Sequence, residues 1–154
     1  MQRIHPISDY PMHIATVAQW HWDEWGHADP QGSLAAWTNA LEIKTEIDII
    51  PTTFVALGDD DEPIGSVSLV ESDMSAHPEL TPWVAGLFVI PARRGCGIGV
   101  ALMEHAVAAA AQMGVPELYL HTSAATELYM RLGWKKLFRE RYEGEMVDVM
   151  HYYV

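Results

Sequence analysis

A strand, a glycine-rich loop and a helix follow one another between residues 83 and 113, and this order constrains the fold more than any other feature. Trp83–Ile90 is a nearly continuous apolar run, which predicts a strand buried on both faces. The loop Pro91–Gly99 holds alternating glycines and two arginines, and the alanine-rich segment Val100–Met113 favours a helix. Such a loop offers unpaired backbone N–H groups and a favourable helix dipole to an anion, typically a phosphate.

Two common nucleotide-binding motifs do not fit this loop. A P-loop needs Lys and then Ser or Thr after its last glycine, whereas Gly99 is followed by Val100 and Ala101. A Rossmann fingerprint needs Gly-x-Gly-x-x-Gly and an acid at the end of the next strand, but here that strand ends in His121 and Thr122. A turn without a ligand is disfavoured, because flexible glycines at a helix start are costly unless a ligand approaches the backbone closely.

The rest of the chain alternates helical and extended patterns. At 154 residues we expect one domain, residues 1–154, with a core large enough to be stable without disulfides. Helices are predicted at residues 12–27, from an N-cap at Ser33 to about Lys44, at Val100–Met113 and at Thr126–Leu132. Strands are predicted at Thr52–Leu57, Ile64–Glu71, Trp83–Ile90, Leu118–Thr122, Trp134–Tyr142 and Met146–Val154. The last two strands are hinged at Gly144. With an N-terminal strand, the order β-α-α-β-β-β-α-β-α-β-β predicts an α/β (α+β) domain around one mixed, mostly antiparallel sheet flanked by helices.

The charge of the chain is strongly negative and unevenly distributed. The net charge is −12, and residues 1–90 carry two basic residues against fourteen acids, whereas residues 91–154 carry seven of each. We therefore expect neither nucleic acid nor an anionic membrane as a partner, since both need a basic surface. The imbalance suggests that one part of the chain meets a cationic partner and the other an anionic one.

Cysteine usage and the N-terminal sequence indicate the compartment. Cys96 is the only cysteine, so no intrachain disulfide can form. The first thirty residues lack a basic region followed by an apolar one, and no apolar stretch reaches the ~20 residues that span a bilayer. We therefore expect a cytoplasmic protein. No metal site is expected either, because His21 and His27 do not have the spacing of a helical ligand pair.

Two motifs in the second half of the chain resemble those of one enzyme superfamily. Leu87-Phe-Val-Ile-Pro91 leads into Arg94-Gly-Cys-Gly-Ile-Gly99, and Leu128-Tyr-Met-Arg-Leu-Gly-Trp134 follows the next strand. Together they resemble the GCN5-related N-acetyltransferase (GNAT) superfamily in order and spacing, over about residues 83–134. The resemblance implies a GNAT domain that moves an acetyl group from acetyl-CoA, as co-substrate and without metal, directly to a primary amine in a ternary complex. The acceptor would be a small cationic amine or a peptide amine.

The resemblance also implies which residues hold acetyl-CoA. Arg94 and the backbone N–H groups from Gly95 to Val100 would bind the pyrophosphate, and the backbone of Leu87–Val89 would pair with the pantetheine amides and hold the thioester carbonyl. Thr122 occupies a position where many relatives carry an asparagine that contacts the cofactor. The cofactor-binding candidates are thus Leu87, Phe88, Val89, Arg94, Gly95, Cys96, Gly97, Ile98, Gly99, Val100 and Thr122.

Tyr129 is the strongest catalytic candidate, because the matching tyrosine of the family donates a proton to the departing thiolate. A phenol of pKa ~10 suits a thiol of pKa ~8.5 as a proton donor. The base that deprotonates the amine is less defined, since the predicted strand at 83–89 carries no carboxylate. Glu79 and His121 are the main candidates; Glu71, Asp73, His77 and a chain of waters are alternatives.

By the same resemblance, the first two helices and the loop before the cofactor strand form the acceptor pocket. Tryptophans beside carboxylates suit a cation, through cation–π attraction and ion pairing. Trp22, Asp23, Trp25 and Trp83 are therefore the substrate-binding candidates, and the competing interpretation places the tryptophans in the core.

Several alternatives stay open. The chain fits a non-catalytic acyl-CoA sensor of the same fold, although a sensor needs no proton donor at Tyr129. A succinyl donor is disfavoured, because the acidic first half would repel a carboxylated acyl chain. Cys96 is either a small loop residue or a thiol that forms a mixed disulfide with coenzyme A. A homodimer is also compatible with the sequence.

Overall fold

The computed structural model describes residues 3–42 and 49–154. Its helices are α1 Ile14–Trp25, α2 Leu34–Glu42, α3 Ile98–Gln112 and α4 Thr126–Arg131; its strands are β1 Arg3–Pro6, β2 Thr52–Leu57, β3 Pro63–Val70, β4 Trp83–Val89, β5 Glu117–Thr122, β6 Lys135–Tyr142 and β7 Glu145–Tyr153. This order confirms the predicted alternation of strands and helices. The predicted end of the second helix near Lys44 lies outside the described residues.

The seven strands form one mixed sheet in the order β1-β2-β3-β4-β5-β7-β6. All neighbouring strands are antiparallel except β4 and β5, which run parallel. These two strands pair at a single position, Trp83 with Tyr119, and then separate. The sheet is therefore open at its centre, between the carboxyl-terminal parts of β4 and β5.

Helices cover both faces of the sheet. One face packs on α3 and α4 through a cluster that includes Phe54, Leu102, Leu118 and Trp134. On the other face, α1 packs its buried residues Ile14, Val17, Ala18 and His21 against β2 and β3, at the spacing of one helical stripe. A third cluster consists of Met74, Trp83, Val147 and Val149, with Val70 packed against it. Leu69, next to Val70 on β3, belongs to the cluster under α3. Successive residues of a strand point to opposite faces, so the third cluster lies on the α1 face.

Element boundaries differ from the sequence prediction by one or two residues, and the differences have local causes. The first helix is shorter than predicted because Pro11–His13 and Gly26–Ala28 form separate 3₁₀ turns. Helix α3 begins at Ile98 rather than Val100, after Gly97 with a left-handed φ of 81°. Between β6 and β7, Glu143 and Gly144 have φ values of 51° and 84°, a two-residue hairpin turn that confirms the predicted hinge.

Candidate active site

A β-bulge in β4 faces the gap between β4 and β5. Ser66 of β3 pairs with Phe88 and Ser68 with Ala85, so Gly86 and Leu87 together stand opposite one residue of β3. Gly86 has a φ of +61°, a conformation that L side chains rarely adopt. Neither residue has a register partner on β5. A bulge at such a point turns backbone groups out of the ladder, which makes them available to a ligand.

A short chain of hydrogen bonds supports the bulge from the α1 side. The Ser66 hydroxyl lies 3.0 Å from the Gly86 carbonyl oxygen, and the Nε2 atom of His21 lies 2.8 Å from Ser66 Oγ. His21 is 7% exposed, and burial lowers the pKa of its imidazole from 6.5 to about 4. The sequence does not predict this supporting contact of His21, although the position of His21 seven residues after Ile14 on the buried stripe is a signal for burial.

The start of α3 presents free N–H groups beside the end of β4. Gly97 is the N-cap residue and no side chain caps the helix, whose first backbone bond runs from Ala101 N–H to the Gly97 carbonyl at 3.0 Å. A Cβ atom built on Gly95 or Gly97 would meet no atom within 4 Å, so the space over the loop is open. The N–H groups of Ile98, Gly99 and Val100 are thus unpaired donors at a positive helix end.

Arg94 folds back over the end of β4. Its Nε atom donates to the Val89 carbonyl oxygen at 2.8 Å, and its guanidinium carbon lies 5.4 Å from the centre of the Phe88 ring. The side chain is exposed, and its two terminal nitrogens make no hydrogen bond within the described ranges. The loop that leads into α3 therefore carries a cation fixed over the end of β4. Cys96, in the same loop, is an exposed thiol.

Thr122 ends β5 and Tyr129 lies in α4, on either side of the turn that joins the two elements. The Tyr129 ring is half-buried against the cluster under α3, 6.5 Å from the ring of Trp134, and burial raises the pKa of its phenol. The phenol therefore stays protonated at neutral pH. Thr122 Oγ1 accepts the N–H of Ala125 at 3.0 Å, so this oxygen closes the turn while its O–H is still available as a donor.

His121 lies at the end of β5 on the α1 face, together with Asp73 and Tyr142. Its Nε2 atom is 3.0 Å from Asp73 Oδ2, and its ring is 5.2 Å from that of Tyr142. The Tyr142 hydroxyl donates to the Asp73 backbone carbonyl at 3.1 Å, and burial raises the pKa of this phenol. The structure thus brings His121 together with Asp73, which the sequence offers only as a separate, alternative base.

Glu79 contacts His77 of the β3–β4 loop and is not part of the contact between His121 and Asp73. It is largely exposed, and its carboxylate lies 3.3 Å from Nδ1 of His77, whose Nε2 lies 2.8 Å from Glu140 of β6. These two carboxylates raise the pKa of His77, with the Glu140 hydrogen bond as the main cause. Glu79 therefore belongs to a contact that ties the β3–β4 loop to β6.

The four acceptor candidates do not form one group. Trp22 packs edge-to-face on Trp37 of α2 at 5.4 Å, Trp25 lies 5.3 Å from His21, and Asp23 is exposed and accepts a hydrogen bond from Gln19. The expectation for Trp83 needs correction: its side chain has no exposed surface, and its indole N–H donates to the Leu80 carbonyl at 2.6 Å. It faces the cluster with Met74, Val147 and Val149 because of its register on β4.

Trp20 is an aromatic side chain that reaches Phe88, the residue after the bulge. Its ring stacks on Phe88 at 5.2 Å, and it packs against the apolar cluster of α1.

Among residues 3–42 and 49–154, no three His, Cys, Asp or Glu side chains converge as metal ligands. Over the same ranges, no helix combines the length and apolar character needed to cross a membrane.

Comparison with known proteins gives the family. The acetyltransferase (GNAT) family matches residues 14–134, which is most of the chain. The chain therefore belongs to the acetyltransferase (GNAT) family. As a member of this family it is an acyltransferase enzyme. No curated protein matches it.

Solved structures show the same fold at low sequence identity. An aminoglycoside 6′-N-acetyltransferase complexed with coenzyme A is 15% identical, with 98% of this chain and 96% of that one covered and a TM-score of 0.77. A chimera of the Vibrio cholerae spermidine N-acetyltransferase SpeG and hSSAT is 16% identical, with coverages of 99% and 95% and a TM-score of 0.74. Arabidopsis thaliana NAA60 in complex with acetyl-CoA is 20% identical, with coverages of 100% and 99% and a TM-score of 0.73.

Proposed function

We propose that this protein transfers the acetyl group of acetyl-CoA directly to a primary amine, with a cationic amine as the preferred acceptor. The observation that carries the proposal is the free edge of β4, which runs from the bulge at Gly86 and Leu87 into the uncapped start of α3. One continuous surface thus offers backbone pairing for an extended ligand and an anion site at its end. The similar structures that contain coenzyme A or acetyl-CoA support this assignment.

The residues at this edge fit acetyl-CoA in chemistry and in space. The pyrophosphate is an anion, and Arg94 with the N–H groups at the start of α3 supplies donors and positive charge. The open space above Gly95 and Gly97 admits phosphate oxygens close to the backbone. Backbone groups of Leu87–Val89 that have no register partner on β5 would hold the pantetheine arm, apart from the Val89 carbonyl oxygen, which accepts from Arg94. Acetyl-CoA supplies the acetyl thioester, whose acetyl group passes to the amine nitrogen while coenzyme A thiol is released.

The base that deprotonates the amine and the acid that protonates the leaving sulfur lie on opposite faces of the sheet in this proposal. His121, on the α1 face beside Asp73, takes a proton from the acceptor ammonium so that the nitrogen lone pair is free. The negative carboxylate of Asp73 stabilises the imidazolium that this step forms. Tyr129, on the α3 face, keeps its phenol proton and donates it from its hydroxyl to the leaving sulfur. Glu79 is the alternative base, acting from the loop that His77 anchors.

The preference for a cationic acceptor rests on charge. Residues 1–90 supply α1, α2 and the β3–β4 loop, and they carry fourteen acids against two basic residues. Excess negative charge raises the local concentration of a cationic substrate. Two of the similar structures are an aminoglycoside 6′-N-acetyltransferase and a spermidine N-acetyltransferase chimera, and aminoglycosides and spermidine are amines of this kind.

A thiol-release screen with acetyl-CoA tests the proposal. Polyamines, aminoglycosides, amino acids and short peptides of either charge are compared at equal concentration, with calorimetric titration of acetyl-CoA alongside. We expect turnover with amines and the highest kcat/KM with cationic ones. Binding of acetyl-CoA without thiol release for any amine would instead assign a sensor, and a best rate with acidic peptides would reverse the charge preference.

A further inference from the structure

We propose that His21 and Ser66 are positioning residues for acetyl transfer, because they fix the Gly86–Leu87 peptide so that the Leu87 N–H is held ready for the thioester carbonyl oxygen. The inference rests on the proposed function and adds to it two buried side chains outside the cofactor loop. Neither is assigned a contact with the substrate.

The direction of each hydrogen bond follows from the donors available. The Gly86 carbonyl oxygen can only accept, so the single hydroxyl proton of Ser66 is donated to it at 3.0 Å. Ser66 Oγ then has only lone pairs left for His21, whose Nε2 lies 2.8 Å away. Nε2 must therefore carry the proton and donate it. This requirement agrees with burial, which keeps the ring neutral at physiological pH.

Fixing the carbonyl also fixes the neighbouring N–H. The peptide unit is planar and trans, so the Leu87 N–H points opposite to the Gly86 carbonyl. Gly86 and Leu87 form the bulge, where the regular register of β3 and β4 is interrupted, and neither has a register partner on β5. Ser66 restrains this peptide from the side. A hydrogen bond accepted by the carbonyl also polarises the peptide and strengthens its N–H as a donor.

The His21 imidazole packs tightly against Gly86. A Cβ atom on Gly86 would lie 3.1 Å from Cε1 of His21 and 3.3 Å from Oγ of Ser68, so the ring packs directly on the backbone of the bulge. His21 is held in turn from α1 by the ring of Trp25 at 5.3 Å. The bulge is therefore clamped between its own strand partner and the buried face of α1.

A fixed donor of this kind acts mainly on the chemical step. Negative charge develops on the carbonyl oxygen during acyl transfer, so a donor already aimed there stabilises the transition state more than the bound substrate. Loss of positioning should therefore lower kcat while leaving the KM for acetyl-CoA nearly unchanged.

Kinetics of matched variants test the assignment. Ser66→Ala and His21→Leu remove the donors, whereas Ser66→Thr and His21→Gln keep one. The control is Thr53→Val, which removes one hydroxyl of the buried Thr53–Ser68 pair, 2.7 Å apart in the same layer, without altering a side chain that packs on Gly86. We expect the first two to lower kcat by about tenfold or more, with the KM for acetyl-CoA within about twofold, and the conservative variants to recover most of the rate. An unchanged kcat, a loss confined to KM, or an equal loss in the control would overturn the proposal.

A spectroscopic arm separates this inference from the acetyl-transfer proposal. Addition of a non-hydrolysable ketone analogue of acetyl-CoA should shift the Leu87 amide proton downfield in the unsubstituted protein and in Ser66→Thr, but much less in Ser66→Ala. If the unsubstituted protein turns over no amine, the acetyl-transfer proposal fails while this comparison still decides the positioning role. An equal Leu87 shift in Ser66→Ala would reject that role whatever the turnover.

Discussion

Nε2 of His121 lies 3.0 Å from the carboxylate oxygen Oδ2 of Asp73, at the end of β5 that borders the gap beside β4. The two residues are far apart in sequence, one in the loop after β3 and the other at the strand end. Their contact places a titratable ring beside a carboxylate on the α1 face of the sheet, where the proposed acceptor would bind. We propose that this pair accepts the proton of the amine.

Replacement of His121 tests the base. His121→Gln should lower kcat/KM for an amine about a hundredfold at neutral pH, because an alkyl ammonium of pKa ~10 then loses its proton without help. The deficit should shrink as the pH approaches 10 and the amine becomes neutral in solution. The measurement is kcat/KM as a function of pH, with Glu79→Gln as the control. A deficit that is constant with pH, or a larger one in Glu79→Gln, would move the base away from His121.

Replacement of Tyr129 tests the acid. Tyr129→Phe keeps the half-buried ring on Trp134 but removes the phenol proton, so kcat should fall about a hundredfold while the Kd for acetyl-CoA stays within about twofold. Single-turnover rates and calorimetry measure the two quantities. Tyr152→Phe, whose ring lies 5.4 Å from that of Trp134, is the matched control and should keep its rate. Full activity of Tyr129→Phe would remove the acid role.

Arg94 and Arg93 form a natural pair for testing the phosphate loop. Arg94→Ala removes a charged donor held over the end of β4 and should weaken acetyl-CoA binding by about 1.5 to 3 kcal/mol, roughly tenfold or more in Kd. Arg93→Ala, next to it in the exposed 3₁₀ turn, should have a smaller effect. Calorimetric titration compares the two. Equal losses would show that general positive charge, rather than the fixed guanidinium, binds the cofactor.

The buried neutral His21 predicts a pH dependence of stability. Its pKa is lowered from 6.5 to about 4, so between these pH values the unfolded chain binds a proton that the folded chain excludes. Stability should therefore be fully present above pH 6.5 and should fall as the pH drops toward 4, by about 3 kcal/mol from this group. Denaturant unfolding of the unsubstituted protein and of His21→Gln from pH 7 to 4 measures the difference. Parallel curves would contradict a buried neutral imidazole.

The sequence predicts the fold well because its strongest signals are local. The apolar run before Pro91, the glycine loop and the alanine-rich helix each act within a few residues, and they define β4, the turn and α3. Helix ends shift by one or two residues because the left-handed φ of Gly97 begins α3 earlier than residue composition suggests.

The contacts that support the bulge cannot be predicted from the sequence. His21, Ser66 and Gly86 are separated by 45 and 20 positions, and no periodicity links them. The bulge that brings them together depends on strand register, which one residue of slip would change. Trp83 shows the same difficulty, since the face to which an aromatic residue of a doubly covered strand points is set by register and not by residue type.

Mass analysis of the acceptor after reaction with trideuterioacetyl-CoA tests the central claim most directly. The protein is incubated with this donor and a cationic diamine or polyamine, with Tyr129→Phe and heat-inactivated protein as controls. We predict that the amine gains the labelled acetyl group on nitrogen in amounts equal to the thiol released, and far more slowly with Tyr129→Phe. Unlabelled amine throughout, across the whole acceptor panel and despite bound acetyl-CoA, would contradict the assignment of acetyl transfer to the gap between β4 and β5.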